Sequence, residues 1–358
     1  MRSISGWTFT RIRSQSGFLN PGFERPDVEK IFHDEESVRR LIGRFENPVD
    51  LRACYEAGPT GYDLARLLKG LGVHCEVIAP SMIPKGPGDK IKTDTRDARR
   101  LARLHRAGEL VAIRIPTPKE EAVRDLARTR GDMVEDLTRA RNRLTKFLLR
   151  HSRVWRGGSN WTVKHEVWLR AQHFDEPALQ TTFDHYRGVI LARDAQLAAV
   201  EADLQMWFGK EPFCDPVRRL AAYRGVSTMG ALVLQSEVCD WRRFGRSGSF
   251  MGFVGLVPRE YSSGSSTRRG HITKAGNAHL RAQLVESAWS YQHRPYVGPE
   301  MAKRHEGLAP EVVARAWRAQ MRLCGRFRHL AERKNTKSVV AAAIARELAG
   351  FLWAEMVS

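Results

Sequence analysis

The chain has 358 residues, 59 Lys and Arg against 40 Asp and Glu, a formal charge of +19 and 42% hydrophobic residues. That length suggests two or three domains, each with enough apolar residues for a core, which excludes general disorder. No stretch approaches the ~18 uninterrupted apolar residues of a membrane span, and the N-terminus lacks an apolar signal core, so a cytoplasmic protein without membrane contact is expected.

So large a positive charge calls for a polyanionic partner. Nucleic acid is the usual one, because each neutralised phosphate releases counterions; a basic, merely solvated surface is the alternative. The cysteines (Cys54, Cys75, Cys214, Cys239 and Cys324) show no paired metal-ligand spacing and read as free thiols in a reducing compartment.

Along the chain, Ser5 to Ile12 reads as one alternating strand, but Gly and Pro break the pattern beyond Ile12. From Asp34, which stands in a capping position, Val38, Leu41, Ile42 and Phe45 share one helical face. Two strand–helix units come next. Segment 51–56 reads as a strand, and Gly58-Pro59-Thr60 opens a helix to about Leu71. Segment 73–79 reads as a second strand, 80–92 as a Pro/Gly/Lys loop, and Thr93 or Asp94 caps a helix to about Ala107. Strands alternating with helices imply a partly parallel sheet.

Pro116 and Pro118 mark a boundary. Beyond it Val123, Leu126, Met133, Val134, Leu137, Leu144, Phe147 and Leu148 carry the spacing of a long coiled-coil helix. Ile190, Leu197, Val200, Leu204 and Trp207 form a second run, so an antiparallel helical arm is expected, with a Trp- and Gly-bearing excursion at 155–175. Residues 122–156 hold ten Lys/Arg and four Asp/Glu, Arg139, Arg141, Arg143 and Lys146 among them. That run reads equally as a solvated face or as a nucleic-acid arm.

Pro212 and Pro216 mark the next boundary. Leu220 to Ala231, with Gly225-Val226 at its middle, resembles a helix-hairpin-helix, whose turn aims N–H groups at phosphates; plain helix packing is the other reading. The segment 311–356 is helical, and 303–337 carries ten Lys/Arg against three Asp/Glu.

Two clusters bear chemistry. Glu56 ends the strand 51–56, and Asp94 and Asp97, at i and i+3, share one helix face. Carboxylates so placed can converge on Mg²⁺; singly, each reads as a cap or a surface ion pair. The second cluster is a Ser/Gly loop, Ser262-Ser263-Gly264-Ser265-Ser266, flanked by Arg259, Arg268, Arg269 and Lys274. A serine hydroxyl beside such cations can attack phosphorus, while composition alone also fits a phosphate-binding or solvated loop.

Together these stretches resemble the insertion-sequence transposases of the IS110 type, RNA-guided serine recombinases. The resemblance runs through Tyr55-Glu56-Ala57-Gly58-Pro59-Thr60-Gly61-Tyr62, Val77-Ile78-Ala79-Pro80-Ser81, Lys92-Thr93-Asp94-Thr95-Arg96-Asp97-Ala98, Gly255-Leu256-Val257-Pro258, Ser263-Gly264 and Lys274-Ala275-Gly276-Asn277-Ala278-His279-Leu280-Arg281. It covers roughly residues 50–350.

The resemblance implies a RuvC-like, RNase H-type α/β domain with four acidic residues, of which Glu56, Asp94 and Asp97 match the second to fourth and bind Mg²⁺. It implies a C-terminal serine nucleophile, matched best by Ser263 and next by Ser262. It also implies DNA and an element-encoded guide RNA as partners, a homodimer or homotetramer, and a bacterial, nucleoid-associated setting. The family's first Asp lies in an apolar strand, and nothing in 1–33 matches it: Glu24, Asp27 and Glu29 are the only acids before Asp34. A reading frame truncated, misassigned or decayed at its start is therefore expected.

The expected domains are 1–115, an acidic α/β domain lacking a clear first strand; 116–210, a coiled-coil arm; and 211–358, a mostly helical transposase domain with the serine loop. The rivals are an inactive nucleic-acid-binding relative, favoured by the missing Asp, a metal-only Holliday-junction nuclease, which needs no serine, and a helical adaptor, which leaves the charge unexplained.

Overall fold

The N-terminal part of the chain builds one sheet around a strand that the sequence hides. The computed structural model describes residues 4–9, 13–19, 26–32, 34–84, 93–263, 266–333 and 336–358 and divides into two units, Met1–Pro116 and Thr117–Ser358. The loop read over 80–92 lies outside the described residues from 85 onward, as do residues 10–12 of the first alternating stretch and Gly264 and Ser265 of the serine loop.

In the first unit the strands are β1 (Ile4–Phe9), β2 (Arg13–Leu19), β3 (Asp27–Phe32), β4 (Arg52–Glu56), β5 (His74–Ile78) and β6 (Ala112–Ile113). They form a six-stranded sheet in the order β3-β2-β1-β4-β5-β6. The first three are antiparallel, and β1, β4 and β5 run parallel. The expectation of a domain without a first strand is thereby corrected: β1 stands between β2 and β4 and pairs with both. Its Ile, Trp, Thr and Phe suit a strand, but Ser5 and Gly6 break the apolar run, and pairing on both edges supplies what local propensity lacks.

Strand alternation sends side chains to opposite faces. Ala53, Tyr55 and Val77 face α1 (Glu35–Ile42) and α2 (Asp63–Gly70), packing with Val38, Leu41, Leu64 and Leu68. Cys54 and Ile78 face α3 (Asp94–Ala107), packing with Leu101. Asp34 caps α1 by accepting the Ser37 amide at 2.7 Å, as its position predicts. The first α/β helix starts at Asp63 rather than at Gly58, because Gly61 takes a left-handed φ of 66° that breaks any earlier turn.

In the second unit α4 (Pro118–Arg150) and α6 (Pro177–Gln205) form the arm, with α5 (Val163–Arg170) between them. Arg130 pairs with Glu201 and Arg141 with Asp194, so the two helices run antiparallel. Leu137, Leu144, Phe147 and Ile190 make the arm's own core, whereas Val123, Ala127 and Leu204 belong to the C-terminal core. The root of the arm is thus built into the helical body.

That body consists of α7 (Cys214–Ala221), α8 (Thr228–Val238), α9 (Ser247–Val254), α10 (Ala278–Ala288), α11 (Pro299–His305), α12 (Pro310–Arg333) and α13 (Lys337–Val357). Between α9 and α10 stands a hairpin of β7 (Pro258–Ser263) and β8 (Ser266–Ile272). The stretch expected as a Ser/Gly loop is therefore mostly strand; its serines and glycines mask a register in which Tyr261 pairs with Arg268 and Ser263 with Ser266.

Candidate active site and nucleic-acid interface

The acidic residues occupy one side of the N-terminal sheet. Glu56 follows Cys54 by two residues on β4, so it shares the face on which the Cys54 thiol contacts the Leu101 carbonyl of α3. Asp94 and Asp97 lie in the first turn of α3, capped by Thr93, whose hydroxyl accepts the Arg96 amide. Farther along α3, His105 meets Glu76 of β5 at 3.1 Å. Burial lowers the His105 pKa, against the pull of Glu76.

Asp97 Oδ2 is buried and finds no hydrogen-bond partner among the described residues, an acceptor of the kind that a hard cation satisfies. The oxygen-only donor set of Glu56, Asp94 and Asp97 suits Mg²⁺ in chemistry. Among the described residues, no group of three His, Cys, Asp or Glu side chains is arranged to hold a metal ion. β1 carries no acid at all, and its Trp7 pairs with Tyr55, which puts Thr8 level with Glu56.

The serine cluster has a rigid root. Gly255 ends α9 at a φ of 73°, and a Cβ there would lie 2.1 Å from the Ala275 carbonyl oxygen; Gly276 has a φ of 92°, and a Cβ there would lie 2.1 Å from the Phe253 carbonyl oxygen. The two strand ends are interlocked by the amides of Thr273, Lys274 and Asn277, which donate to Val257, Gly255 and Phe253. Arg281 Nη1 donates to the Val254 carbonyl at 2.9 Å.

Asn277 caps α10 by accepting the Leu280 amide at 3.0 Å, and its Nδ2 donates to Glu237 Oε2 at 2.7 Å. Arg128 of α4 grips the same Glu237 with Nε and Nη2 at 2.6 and 2.9 Å. Burial by itself would raise the Glu237 pKa, but Arg128 and Asn277 together hold it below the ordinary carboxylate value. Sequence reading missed this link; Glu237, the lone charged residue of α8, was its one visible trace.

The hairpin strands are exposed, and their register sorts the residues by face. Paired residues share a face, and the faces alternate along each strand. Ser263 and Ser266 lie on the face of Tyr261 and Arg268, whereas Ser262 lies with Glu260 and Arg269. The Ser262 hydroxyl donates to Glu260 Oε1 at 2.7 Å, and Arg269 approaches Glu260 at 3.5 Å. Arg259 and Lys274 are exposed at the hairpin base.

The other expected contacts divide. Arg141 pairs with Asp194 and covers the Trp161 ring, and Arg139 pairs with Glu135 and Asp136; Arg143 and Lys146 are exposed. The turn between α7 and α8, expected as a helix-hairpin-helix or as plain helix packing, packs inside the chain: a Cβ on Gly225 would lie 2.2 Å from the Ser287 carbonyl oxygen, and Arg304 donates to the Ala221 and Val226 carbonyls.

Comparison with known proteins bears on both clusters. The family model described as "Transposase IS116/IS110/IS902 family" matches residues 217–306, and a DEDD-type model described as "Transposase" matches 20–152. A DEDD domain implies an RNase H-like fold for the N-terminal unit. The chain is 43% identical over 321 residues to the putative transposase y4qE of Sinorhizobium fredii, covering 89% of this chain and 77% of that one. It is 37% identical over 312 residues to the transposase for insertion sequence element IS1533 of Leptospira borgpetersenii, covering 84% and 88%. No helix among the described residues is long and apolar enough to cross a membrane.

Proposed function

The chain belongs to the IS116/IS110/IS902 family of insertion-sequence transposases, which bind, cut and rejoin DNA, and from that premise we propose that Ser263 is its nucleophile. The observation that carries the choice is the hairpin register: Ser263 shares its face with Arg268, while the Ser262 hydroxyl is engaged by a carboxylate. A phosphodiester is repelled by Glu260 and attracted by a guanidinium.

In the reaction Ser263 Oγ attacks phosphorus, an Oγ–P bond forms and the P–O bond to one deoxyribose breaks. The hydroxyl proton passes to water, and the leaving oxygen takes up a proton. The serine–phosphate ester keeps the bond energy, so a second strand's hydroxyl rejoins DNA by the reverse step. Exposed Arg259, Arg268, Arg269 and Lys274 hold phosphates near the hairpin. Glu56, Asp94 and Asp97 are the residues that would hold a divalent cation, preferably Mg²⁺, which when bound would offset phosphate charge, the acidic cluster of one subunit assisting the serine of another. An element-encoded guide RNA, a dimer or tetramer, and a cytoplasmic, nucleoid-associated setting belong to the same reading, supported by the net charge and the family.

The test is covalent trapping on a nicked DNA substrate. Ser263→Ala abolishes the protein–DNA adduct and leaves DNA binding intact, while Ser262→Ala keeps the adduct; the opposite pattern reassigns the nucleophile. Asp94→Asn and Asp97→Asn slow trapping, and excess Mg²⁺ partly restores it.

A second reading, binding without strand exchange, is favoured by the lack of an acid on β1. Thr8→Asp installs a carboxylate level with Glu56. A rise in adduct yield in this variant, from a low wild-type value, marks a chain limited by its first acid. High wild-type yield that Thr8→Asp does not raise removes the second reading.

A further inference from the structure

The exposed side of α12 bears a feature that the proposed chemistry does not use. Its buried side, Val312, Ala316, Ala319, Leu323 and Phe327, packs into the C-terminal core. At the edge of that side, one helical row from buried Cys324, Trp317 is 40% exposed. Arg322, Gly325, Arg326 and His329, with Glu347 of α13, line a cleft of about 460 Å³.

The cleft's cations are held in place. Arg322 and Arg326 stand one turn apart and share Glu347, at 3.4 and 3.2 Å. One carboxylate between two guanidiniums leaves a net positive charge, and it orients two donor-rich groups that have N–H bonds to spare. Side chains fixed before binding lose less entropy on binding.

Gly325 lies beside this cationic edge, and Trp317 stands eight residues earlier on α12, about 12 Å along the helix axis. At 100° per residue, Trp317 lies about 80° to one side of Gly325 on the helix surface, and Arg322 about 60° to the other. A glycine inside a helix weakens it. Among the described residues nothing requires one here: its φ is not left-handed, and a Cβ would meet nothing within 4 Å. A bare backbone beside paired guanidiniums, with an exposed indole about 12 Å up the same helix, a span of about two nucleotides, is the composition of a strand-binding platform, in which rings stack on bases and arginines hold phosphates.

We infer that this face of α12 binds an unpaired nucleic-acid strand, its backbone entering the cleft at Gly325 against Arg322 and Arg326 and one base stacking on Trp317. The inference rests on the nucleic-acid substrate of the proposed function, but it needs neither Ser263 nor the acidic residues. Binding measured without divalent cation therefore tests it separately from the chemistry.

The experiment is fluorescence anisotropy of the full chain with a labelled 20-nucleotide single strand, one arm DNA and the other RNA of the same sequence. In the arm that matches the natural strand, Arg322→Ala with Arg326→Ala lowers affinity and reduces the salt slope by about 0.7 rather than 1.4, at ~0.7 per phosphate contact on a single strand, because Glu347 already offsets one of the two guanidiniums. Trp317→Ala weakens binding about fivefold to a hundredfold, and the loss shrinks on an abasic strand. Gly325→Leu weakens binding tenfold or more, with no fall in melting temperature. Unchanged affinity in Trp317→Ala and Gly325→Leu in both arms overturns the inference. Equal losses for a duplex probe overturn it too, since a duplex offers no free base.

Discussion

The root of the serine hairpin and its two strands divide one stretch of sequence between two tasks. At the root Gly255, Gly276, Asn277 and Arg281 are engaged with backbone carbonyls or caps. Along the strands Arg259, Tyr261, Ser263, Arg268 and Arg269 face solvent. The comparison teaches that position and reactivity are separable here: buried backbone contacts aim the hairpin, and its reactive groups stay accessible to a large substrate.

The largest effect should come from the root. Gly276→Ala adds a Cβ 2.1 Å from the Phe253 carbonyl oxygen, at a φ of 92°. Left-handed strain and overpacking together cost about 2–5 kcal/mol. The melting temperature should fall sharply. A similar substitution on the strands, Tyr261→Ala, should leave it nearly unchanged, since Tyr261 is exposed. Equal melting temperatures for the two variants would erase the division.

Next comes the contact that ties the root to the arm. Arg128→Ala strips Glu237 of a bidentate partner while its side chain stays 2% exposed. Losing a charge-assisted hydrogen-bonded partner costs about 2–3 kcal/mol. Denaturant unfolding should show this as a lower midpoint with an unchanged slope. Arg128→Lys should recover only part, because an ammonium cannot reproduce the fork.

The same contact should respond to acid. The Glu237 pKa is lowered in the fold, so its stabilisation is fully present above the unfolded carboxylate value of about 4.3 and fades as pH falls through the lower folded value. The stability gap between wild type and Glu237→Gln should therefore be constant near neutrality and close below about pH 4. A gap that widens in acid would contradict the assigned sign.

These outcomes bear on what the sequence made legible. β4, β5 and α3 were readable because their signals are local: short apolar runs, and a Thr93 cap before Asp94. β1 was not, because its stability comes from pairing on both edges with strands far along the chain. The candidate acids and serines were visible as residue types in ordered motifs. Which serine shares its face with a carboxylate was not, since that depends on a register whose alternation Gly and Ser conceal. The Arg128–Glu237–Asn277 link joins residues 109 and 40 positions apart, beyond any periodicity.

The smallest effect concerns the arm, where composition treats all cations alike. Arg139 and Arg141 are ion-paired, whereas Arg143 and Lys146 are exposed on α4. An exposed pair contributes only about 0.2–1 kcal/mol, so Arg141→Ala should lower stability slightly, and its charge is already offset by Asp194. Arg143→Ala and Lys146→Ala should leave stability unchanged within about 0.5 kcal/mol. If these two meet phosphates, each substitution should flatten the salt dependence of duplex binding by about 0.9 in slope. Arg141→Ala should flatten it less, because a guanidinium shared with a carboxylate releases fewer counterions. Measuring all three slopes on one duplex separates the readings of this run. Equal, unchanged slopes would make the arm a solvated face, and the excess charge would then act from the hairpin and α12.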